Sequence, residues 1–505
     1  MQAFNLIWFK RDLRWQDHDA LYAAFKSQKP VLALFCFEPL LEKHNDGSAR
    51  HRKMQEQALI GMLRELGPLQ KHLIILEANA DEVLTFLANE FPLAGLFSHQ
   101  EHGVQASYQR DKKVKQLSIK HQINWQEFAH NGVVRGLSNR NAWDESWRSY
   151  MQKPLTKIEL NDWPQWKDKD LLTLRNKLQL HFKFWQAKED SNPNRSLNRY
   201  NSINGLEAFL QKEAHGYQKH IGEPFYSKQH CSRLSVALAW GSLSLREVYQ
   251  SSMHALQMAE RKSDLKAFIS RLHWHSHFIQ KFEMEMRMEF ENLNRGYNSL
   301  RTKSNPHYLE AWTKGETGIP LVDACMRAVR ATGYLNFRMR AMVVSFWSHL
   351  LWQPWQDAVH YLAQCFSDYI PGIHYPQFQM QSSVTGINAI RVYNPVKQSL
   401  EKDAEGKFLQ KWLPELSHLP LAFQHEPWKL SAMEQQFYNF QLGRDYPAPL
   451  IDVNSAAHFA REELWKMKQD PLVLVENKRI LKKHTVANRK VHHRSQIIMK
   501  PKASK

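Results

Sequence analysis

Several groups of side chains in this 505-residue chain have the types and spacing that chemistry requires. The run His230-Cys231-Ser232-Arg233-Leu234-Ser235 places hydroxyl groups and a cation ahead of a helical pattern. Backbone N–H groups at a helix start bind phosphate, and the helix dipole favours the negative charge. An ordinary helix cap by Ser232 or Ser235 is the alternative interpretation of the same residues.

A second group contains three alternating histidines between Arg271 and Phe278. If this segment is helical, His273 and His277 share a face, whereas His275 does not. A metal site needs at least one further ligand at suitable spacing, and none is evident. The pattern therefore predicts no metal site.

A third group lies on two predicted helices. Pro320 suits the first turn of one helix and Gly333 suits its end. A second helical pattern runs from Phe337 until Pro354 bars its continuation. A helical wall with arginine and tryptophan suits a large, planar, anionic ligand. The side chains concerned are Arg338, Arg340, Trp347, Trp352 and Trp355.

The elements that must position these groups fall into two classes. Over residues 1–130, strand patterns at 6–9, 31–37, 73–76 and 93–97 alternate with helical patterns at 20–25, 51–65 and 80–89. This alternation predicts an α/β, doubly wound parallel-sheet domain. No G-x-G-x-x-G follows the first strand, so the dinucleotide fingerprint is absent.

After residue 130 the secondary-structure pattern changes from alternating strands and helices to mainly helices. Residues 131–200 are predicted to be an interdomain linker, with a turn-rich run at 191–194. Helical patterns dominate residues 201–465, which predicts an all-α domain. Residues 466–505 form a basic tail that we expect to be disordered, although 471–475 could pair locally.

Composition limits the partners and the cellular location that can be expected for this protein. Lys and Arg outnumber Asp and Glu by 68 to 50, and the formal net charge of +18 favours a polyanionic partner such as DNA. The chain has no apolar run long enough for a membrane span and no recognisable targeting segment at its start, so we expect a cytoplasmic protein. The four cysteines are scattered, which argues against a disulfide framework and against zinc or iron–sulfur sites.

Ordered motifs resemble those of the cryptochrome/photolyase family. The matching pieces are W-x-x-G-x-T-G-x-P-x-x-D-A-x-M-R from Trp312 to Arg327, G-Y-x-x-x-R-x-R from Gly333 to Arg340, and S-D-Y around Asp368. Asn394-Pro395, Trp412 to Leu416 and the opening run Trp8 to Asp17 also match. Several pieces in one order are far more specific than one short motif. The resemblance implies an all-α, FAD-binding C-terminal domain.

The resemblance also implies which residues bind FAD. Ser232 to Ser235 match the loop that holds the pyrophosphate, with Cys231 where the family commonly has threonine, and Asp368 is the acidic residue expected beside the flavin ring near Arg340. The predicted FAD-binding residues are Tyr217, Cys231, Ser232, Arg233, Leu234, Ser235, Arg271, Trp274, His275, Phe278, Phe337, Arg338, Arg340, Asp368, Tyr369, Ile370 and His374.

A light-dependent electron relay is expected on the same grounds. Trp355 and Trp312 match the family's two outer relay tryptophans, whereas Phe378 stands where the family has the tryptophan nearest the flavin. Tyr375 or Trp352 is the suggested substitute. His374 aligns with the residue opposite the reactive flavin nitrogen, where a histidine that titrates near neutrality would tune flavin protonation.

The lesion-contacting residues depart from the family pattern. Trp274 matches the tryptophan that stacks on a flipped-out pyrimidine, but Arg271 stands at the family's lesion-contacting glutamate. Other lesion contacts fall at Ala341 and Met380. The predicted DNA-contacting residues are Trp274, Arg271, Arg338 and Met380.

Three functions remain open from the sequence. A monomeric DNA photolyase that splits pyrimidine dimers is preferred over a cryptochrome-type blue-light photoreceptor, and a DNA-binding protein without chemistry leaves the FAD motifs unexplained. The (6-4) branch of the family needs a His-His pair where this chain has Asn336-Phe337. A second, antenna chromophore of the folate or deazaflavin type is a further expectation, with residues 98–102 as candidate contacts.

Overall fold

The computed structural model describes residues 1–187, 196–259 and 262–486. Their N-terminal part folds around a sheet with strand order β5-β4-β1-β2-β3-β6. The four strand pairings among β1 to β5 are parallel, and β6 pairs with β3 antiparallel. The strands are β1 Phe4–Phe9, β2 Val31–Phe37, β3 Leu73–Glu77, β4 Leu93–His99, β5 Asn124–Phe128 and β6 Lys183–Phe184.

Both faces of this sheet are covered by helices. Leu32 and Leu34 of β2 point into one apolar cluster, and Ala33 and Phe35 point into the other. Since successive strand residues face opposite sides, an apolar strand such as β2 needs cover on both. The helices of this part are α1 Asp19–Lys26, α2 Pro39–Glu42, α3 Ala49–Leu66, α4 Ala80–Glu90 and α5 Gln105–Lys120. The predicted doubly wound domain is confirmed.

The segment expected to be a linker is largely folded onto the first domain. It contains α6 Trp143–Gln152, α7 Asp168–His181 and the edge strand β6. Trp163 and Trp166 are buried and both donate to the carbonyl oxygen of Val31, at 3.0 and 2.9 Å. The apolar face of α7 covers the sheet, so the linker prediction was wrong for these residues. Positions 191–194 lie outside the described residues.

From residue 199 the described chain is helical. A π turn at Phe346–Leu350 continues α16, so that helix ends near the predicted position. The helices are α8 Arg199–Ala208, α9 Tyr217–His220, α10 Ser227–His230, α11 Ser235–Trp240, α12 Leu245–Met258, α13 Lys262–Met284, α14 Pro306–Lys314, α15 Pro320–Thr332, α16 Phe337–Ser345, α17 Gln356–Cys365, α18 Pro371–Gln381, α19 Pro395–Lys402, α20 Lys407–Trp412, α21 Leu421–His425, α22 Ala432–Phe437, α23 Val453–Lys468 and α24 Pro471–His484.

The first part of the tail is ordered, which corrects the prediction for residues 466–486. Asp470 caps α24 by accepting from the N–H groups of Leu472 and Val473. Val473 and Ile480 are buried in the helical core, and Arg479 donates to Glu285 at 2.8 and 3.0 Å. Apolar anchoring and ion pairing hold this helix despite its basic composition.

Buried polar contacts join the two domains. Asp17 accepts hydrogen bonds from Ser244 and Arg246, and the Arg11 guanidinium donates to the carbonyl oxygen of Tyr369 at 2.8 Å. Arg11 therefore ties the first domain to the loop between α17 and α18, which carries Asp368.

Candidate functional site

A cavity of about 560 Å³ opens into the helical domain. Its walls come from α9, the loop before α11, α13, α16 and α18. This volume lies within the range of small-molecule and cofactor sites, about 300–1,000 Å³. The predicted FAD-binding residues that line it are Tyr217, Cys231, Ser232, Arg233, Ser235, Arg271, Trp274, His275, Phe278, Phe337, Arg340, Asp368, Tyr369, Ile370 and His374.

Two of the predicted FAD-binding residues lie elsewhere. Leu234 packs into the apolar cluster beneath α11, because its side chain points away from the loop. Arg338 is half-buried on the side of α16 next to Gln398, whose Oε1 lies 3.4 Å from its Nη1. Neither side chain lines the cavity.

The loop before α11 combines a left-handed backbone position with hydroxyl and cationic side chains. Arg233 has a left-handed φ of 56°, and its guanidinium lies over the Tyr334 ring at 3.6 Å. Ser232 Oγ accepts weakly from the N–H of Leu234, at 3.4 Å. Burial raises the pKa of the Cys231 thiol to about 11, so this residue lines the loop as a neutral group.

An ion pair crosses the middle of the cavity wall. Arg340 Nη2 donates to both carboxylate oxygens of Asp368, at 2.9 and 2.8 Å, and its Nε donates to the carbonyl oxygen of Leu335. Burial alone would raise the pKa of Asp368, but Arg340 and a hydrogen bond from Ser235 hold that pKa below its usual value. The carboxylate is therefore ionised and fixed in direction, ready to accept from ligand N–H groups.

Buried polar atoms on the cavity wall lack partners. Both ring nitrogens of His275 and the Nδ2 of Asn336 are buried without a hydrogen bond to any described residue. Burial lowers the pKa of His275 to about 4, so its neutral ring offers one donor and one acceptor. Native proteins rarely leave buried polar atoms unsatisfied, so these atoms fit a bound polar ligand such as FAD.

The mouth of the cavity is flanked by exposed aromatic rings. Trp274 is 41% exposed and Phe337 is 47% exposed, and both line the cavity. The Trp274 ring packs on Phe278 at 5.6 Å. Arg271, Met380 and Ala341, which stand at lesion-contacting positions by resemblance, also line the cavity.

Of the residues predicted to form the electron relay, Trp355 packs near the cavity lining, whereas Trp352 packs elsewhere. Trp355 is buried, with its ring 6.3 Å from Phe378 and 6.4 Å from Tyr375. Trp312 packs on Trp347 at 5.3 Å. Trp352 instead packs on Phe459 of α23 and does not line the cavity.

His374 does not match the expected titration near neutrality. Its Nε2 lies 2.8 Å from the carbonyl oxygen of Val359, and burial lowers its pKa to about 4. The ring is therefore neutral at physiological pH and donates to that carbonyl.

The histidines of α13 are held by other protein groups. His273 Nε2 lies 3.1 Å from Asp144 Oδ1, and His277 Nδ1 accepts from Arg140 at 2.7 Å. These contacts leave the two rings occupied on the face where metal binding was considered.

One group with metal-ligand composition occurs among the described residues. It consists of Asp12, His18 and His99, all buried in the first domain. His18 Nδ1 accepts from the N–H of Leu21, so the proton sits on Nε2 and is donated to Asp12 at 2.8 Å. A metal on Nε2 would require the opposite tautomer and would place two N–H groups against each other. The group is a hydrogen-bonded cluster.

A crevice lies between the two domains. It lies at the carboxyl ends of β1 and β2 and measures about 100 Å³. Arg110 forms part of its polar lining and is ion-paired with Glu38, Glu101 and Asp111. Two of the candidate contacts, His99 and His102, are hydrogen-bonded to Asp12 and Glu283. This free space is below the usual range of cofactor sites, and the antenna chromophore stays a prediction.

Sequence reasoning missed part of the lining. Tyr334 and Asn336 lie inside a motif that matched, so the motif could have identified them. Asn388 and Arg391 belong to an irregular loop whose sequence carries no pattern. Further apolar lining comes from Ile221, Leu335, Val344, Leu362, Phe366 and Ile373.

Comparisons with known proteins found similar sequences and family models that match this chain. The model of the FAD-binding domain of DNA photolyase matches residues 268–466, and the DNA photolyase model matches residues 5–145. A deoxyribodipyrimidine photo-lyase of Alkalihalophilus pseudofirmus is 26% identical, with 89% of this chain and 95% of that protein covered. A cryptochrome DASH of Synechocystis is 25% identical, with 90% and 97% covered.

A solved structure shares the fold. The cryptochrome structure from Synechocystis superposes with a TM-score of 0.76 at 22% identity, over 92% of this chain and 99% of that one. Among the described helices, none has the length and apolar character that crossing a bilayer requires. With its parallel-sheet domain, its helical FAD-binding domain and these relatives, the chain belongs to the cryptochrome/photolyase family.

Proposed function

We propose that the protein is a light-dependent DNA repair enzyme that splits UV-induced pyrimidine dimers with an electron from reduced FAD. The observation that carries this proposal is the open cavity mouth with Trp274 and Phe337 at its rim, 41% and 47% exposed. A pyrimidine taken out of a duplex loses its stacking, and an aromatic face replaces it. The net charge of +18 supports a polyanionic partner.

The residues of the chain would position the reactants. Bound FAD supplies the electron chemistry. Asp368 is ionised and held by Arg340, so it accepts from ligand N–H groups in a fixed direction. His275 adds a neutral donor and acceptor, and the apolar wall that includes Val344 and Ile373 excludes water. Trp274 supplies the platform for the flipped base.

The residue between Trp355 and the cavity is proposed to be Tyr375. Its ring lies 6.4 Å from Trp355, and its hydroxyl donates to Asp46 at 2.9 Å. Burial would raise the pKa of Asp46, but hydrogen bonds from His360 and Tyr369 hold it below its usual value. A phenol that loses an electron also loses its proton, and the ionised Asp46 is placed to accept it. Trp352 lacks such a position, because it packs on Phe459.

The test is illumination of the reduced protein with dimer-containing single- and double-stranded oligonucleotides. We expect light-dependent loss of dimers in at least one of them. Trp274→Ala should weaken binding of the lesion by about 1–3 kcal/mol, the usual value of one stacked base. Trp465→Ala is the matched control, because Trp465 is also exposed but lies on α23, outside the cavity lining. Absence of dimer loss with both oligonucleotides would contradict the proposal.

A cryptochrome-type blue-light receptor is the second candidate. It is favoured by Arg271, a cation that lines the cavity where the family's lesion-contacting glutamate is expected. A receptor should show a light-dependent change in limited proteolysis without any loss of dimers. That combined result would replace the repair proposal.

A further inference from the structure

The cavity of the helical domain carries more positive charge than its own groups neutralise. Among the described residues, four arginines and one carboxylate line it. The carboxylate, Asp368, is occupied by Arg340 at 2.8 Å. The lining histidines add no charge, because burial lowers the pKa of His275 and of His374 to about 4. The remaining lining arginines are Arg233, Arg271 and Arg391.

Arg271 lies beside the aromatic platform at the cavity mouth. It stands three positions before Trp274 on α13, and residues at this spacing share one face of a helix. Both side chains line the cavity and both are exposed. A base stacked on Trp274 would therefore lie within about one helical turn of Arg271.

The Arg271 guanidinium has no hydrogen bond and no ion pair with any other residue that the structure describes. Its charge acts on the Tyr217 hydroxyl and opposes the rise in pKa that burial causes there, but a neutral hydroxyl does not compensate a cation. Arg233, in contrast, lies over the Tyr334 ring at 3.6 Å. The Arg271 guanidinium is therefore available to a group that enters the mouth.

The chemistry of a guanidinium limits what Arg271 can bind. Its N–H groups donate, it carries no acceptor, and it keeps its charge and its protons at any physiological pH. Every pyrimidine presents at least one carbonyl oxygen that accepts a hydrogen bond. An electron placed on a pyrimidine ring puts negative charge on its carbonyl oxygens, and a cation already in place there stabilises that charge without reorganisation.

We propose that Arg271 is a catalytic residue that donates to a carbonyl oxygen of the pyrimidine stacked on Trp274 and stabilises the negative charge that this base gains from the electron. This inference rests on the proposed function, because it takes a flipped pyrimidine dimer as the substrate. One electron passes from reduced FAD to the dimer, the two carbon–carbon bonds that join the pyrimidines break, and the electron returns to the flavin. Arg271 gives up no proton in this sequence.

Two other ligands offer acceptor atoms to an arginine. A phosphate of the DNA backbone stays with the strand outside the mouth, whereas the Arg271 side chain lines the cavity that the base enters. FAD occupies the same cavity under the proposed function. The experiment has one arm in the dark and one in the light, and it separates both ligands from the base.

The dark arm measures binding. Full-length, FAD-loaded protein is titrated with a labelled single strand that carries a thymine dimer and with the same strand undamaged. Arg271→Gln keeps a neutral donor, so its affinity for the damaged strand should fall by about five-fold, the difference between a charged and a neutral hydrogen bond. Its affinity for the undamaged strand should change little. Arg271→Lys keeps the charge and should keep most of the affinity.

The light arm measures the number of dimers split per absorbed photon. All of the damaged strand is bound in this measurement, so affinity does not enter. Arg271→Gln should lower the yield by at least about ten-fold, because the loss of one fixed donor at a developing charge costs that much or more. Arg271→Lys should retain most of the yield.

The matched control is Lys266→Gln. Lys266 is an exposed cation on the same helix, five positions from Arg271 and outside the cavity lining. Its replacement should leave affinity and yield unchanged. Since Arg271 is exposed and unpaired, Arg271→Gln should also keep the melting temperature and the FAD content of the wild type.

The outcomes are distinct. Unchanged affinity and yield in Arg271→Gln would overturn the inference. An equal loss of affinity for both strands would assign Arg271 to backbone phosphate, and a loss of FAD would assign it to the cofactor; either result overturns the inference. A wild type that splits dimers no better than Arg271→Gln refutes the inference alone. A wild type that splits no dimers refutes the proposed function and the role in the reaction with it, while a dark preference that Arg271→Gln abolishes still supports the contact with the base.

Discussion

Two clefts formed by the described residues both contain buried polar groups, and they differ in whether those groups have hydrogen-bond partners. In the crevice between the domains, Arg110 is paired with Glu38, Glu101 and Asp111, and the free space is about 100 Å³. In the helical cavity of about 560 Å³, His275 and Asn336 present buried polar atoms without partners among the described residues.

This difference separates structural from binding roles. A buried charge network in which each member has a partner holds two elements together and leaves little to offer a ligand. Unsatisfied donors and acceptors around a large space carry a cost that a ligand removes. The presence of polar residues alone would not have shown which of the two clefts is the better candidate for binding a ligand.

The largest effect is expected at the ion pair of the cavity. Arg340→Leu leaves Asp368 buried without its partner, so the carboxylate takes up a proton and loses its fixed direction. We expect FAD affinity to fall by about 100-fold, in line with the loss of a buried charge-assisted pair. Fluorescence titration with FAD measures this. Arg338→Leu is the control, since Arg338 lies on the same helix but outside the cavity lining; equal loss in both variants would contradict the assignment.

The opposite pattern is expected for the crevice. Glu38→Gln removes one partner of the buried Arg110 and should lower the free energy of unfolding by about 3 kcal/mol. FAD content should not change, because Glu38 lies outside the cavity lining. Denaturant unfolding and the flavin absorbance of the same sample give both values. A loss of FAD without a loss of stability would reverse the roles of the two clefts.

A smaller effect is expected at His275. His275→Phe fills a similar volume but removes the donor and acceptor that face the cavity. FAD affinity should weaken by about 1–3 kcal/mol, the cost of a missing partner for a polar ligand group. The free protein should be as stable as before or more stable. Unchanged affinity in the titration would show that this ring does not contact FAD.

The smallest effect concerns acid stability. Burial lowers the pKa values of His18 and His374 to about 4, whereas an unfolded histidine titrates near 6.5. The unfolded state therefore binds more protons between these values, and the free energy of unfolding should fall as pH is lowered from about 6.5 to about 4, by about 1 kcal/mol per pH unit for each of the two histidines. Urea unfolding at several pH values measures this. His374→Gln should flatten the dependence, and an unaltered slope would contradict its buried, neutral state.

Much of the fold was predictable from sequence. The continuous apolar run of β2 and the proline and glycine at the ends of α15 predicted these two elements to within a few residues. The helix after Asp470 was not predicted, because residues 478–505 contain ten Lys and Arg. Its order depends on the burial of Val473 and Ile480 and on the contact of Arg479 with Glu285. Those contacts are long-range, and no local pattern reports them.

The cavity-lining residues were predictable where they belong to a motif shared with the family. Arg340 and Asp368 stand 28 positions apart, and the resemblance placed both near the flavin ring; in the structure they are in contact at 2.8 Å, and their role in binding FAD stays a prediction. The titration of His374 was mistaken, because burial and the carbonyl oxygen of Val359 cannot be seen in sequence.

The most direct test of the account is a titration of the purified full-length protein with FAD, followed by flavin fluorescence and by the change in melting temperature. The account predicts saturable binding of stoichiometric FAD, with a rise in melting temperature that Arg340→Leu abolishes. Failure of the wild-type protein to bind FAD, or equal binding by the wild type and Arg340→Leu, would contradict it.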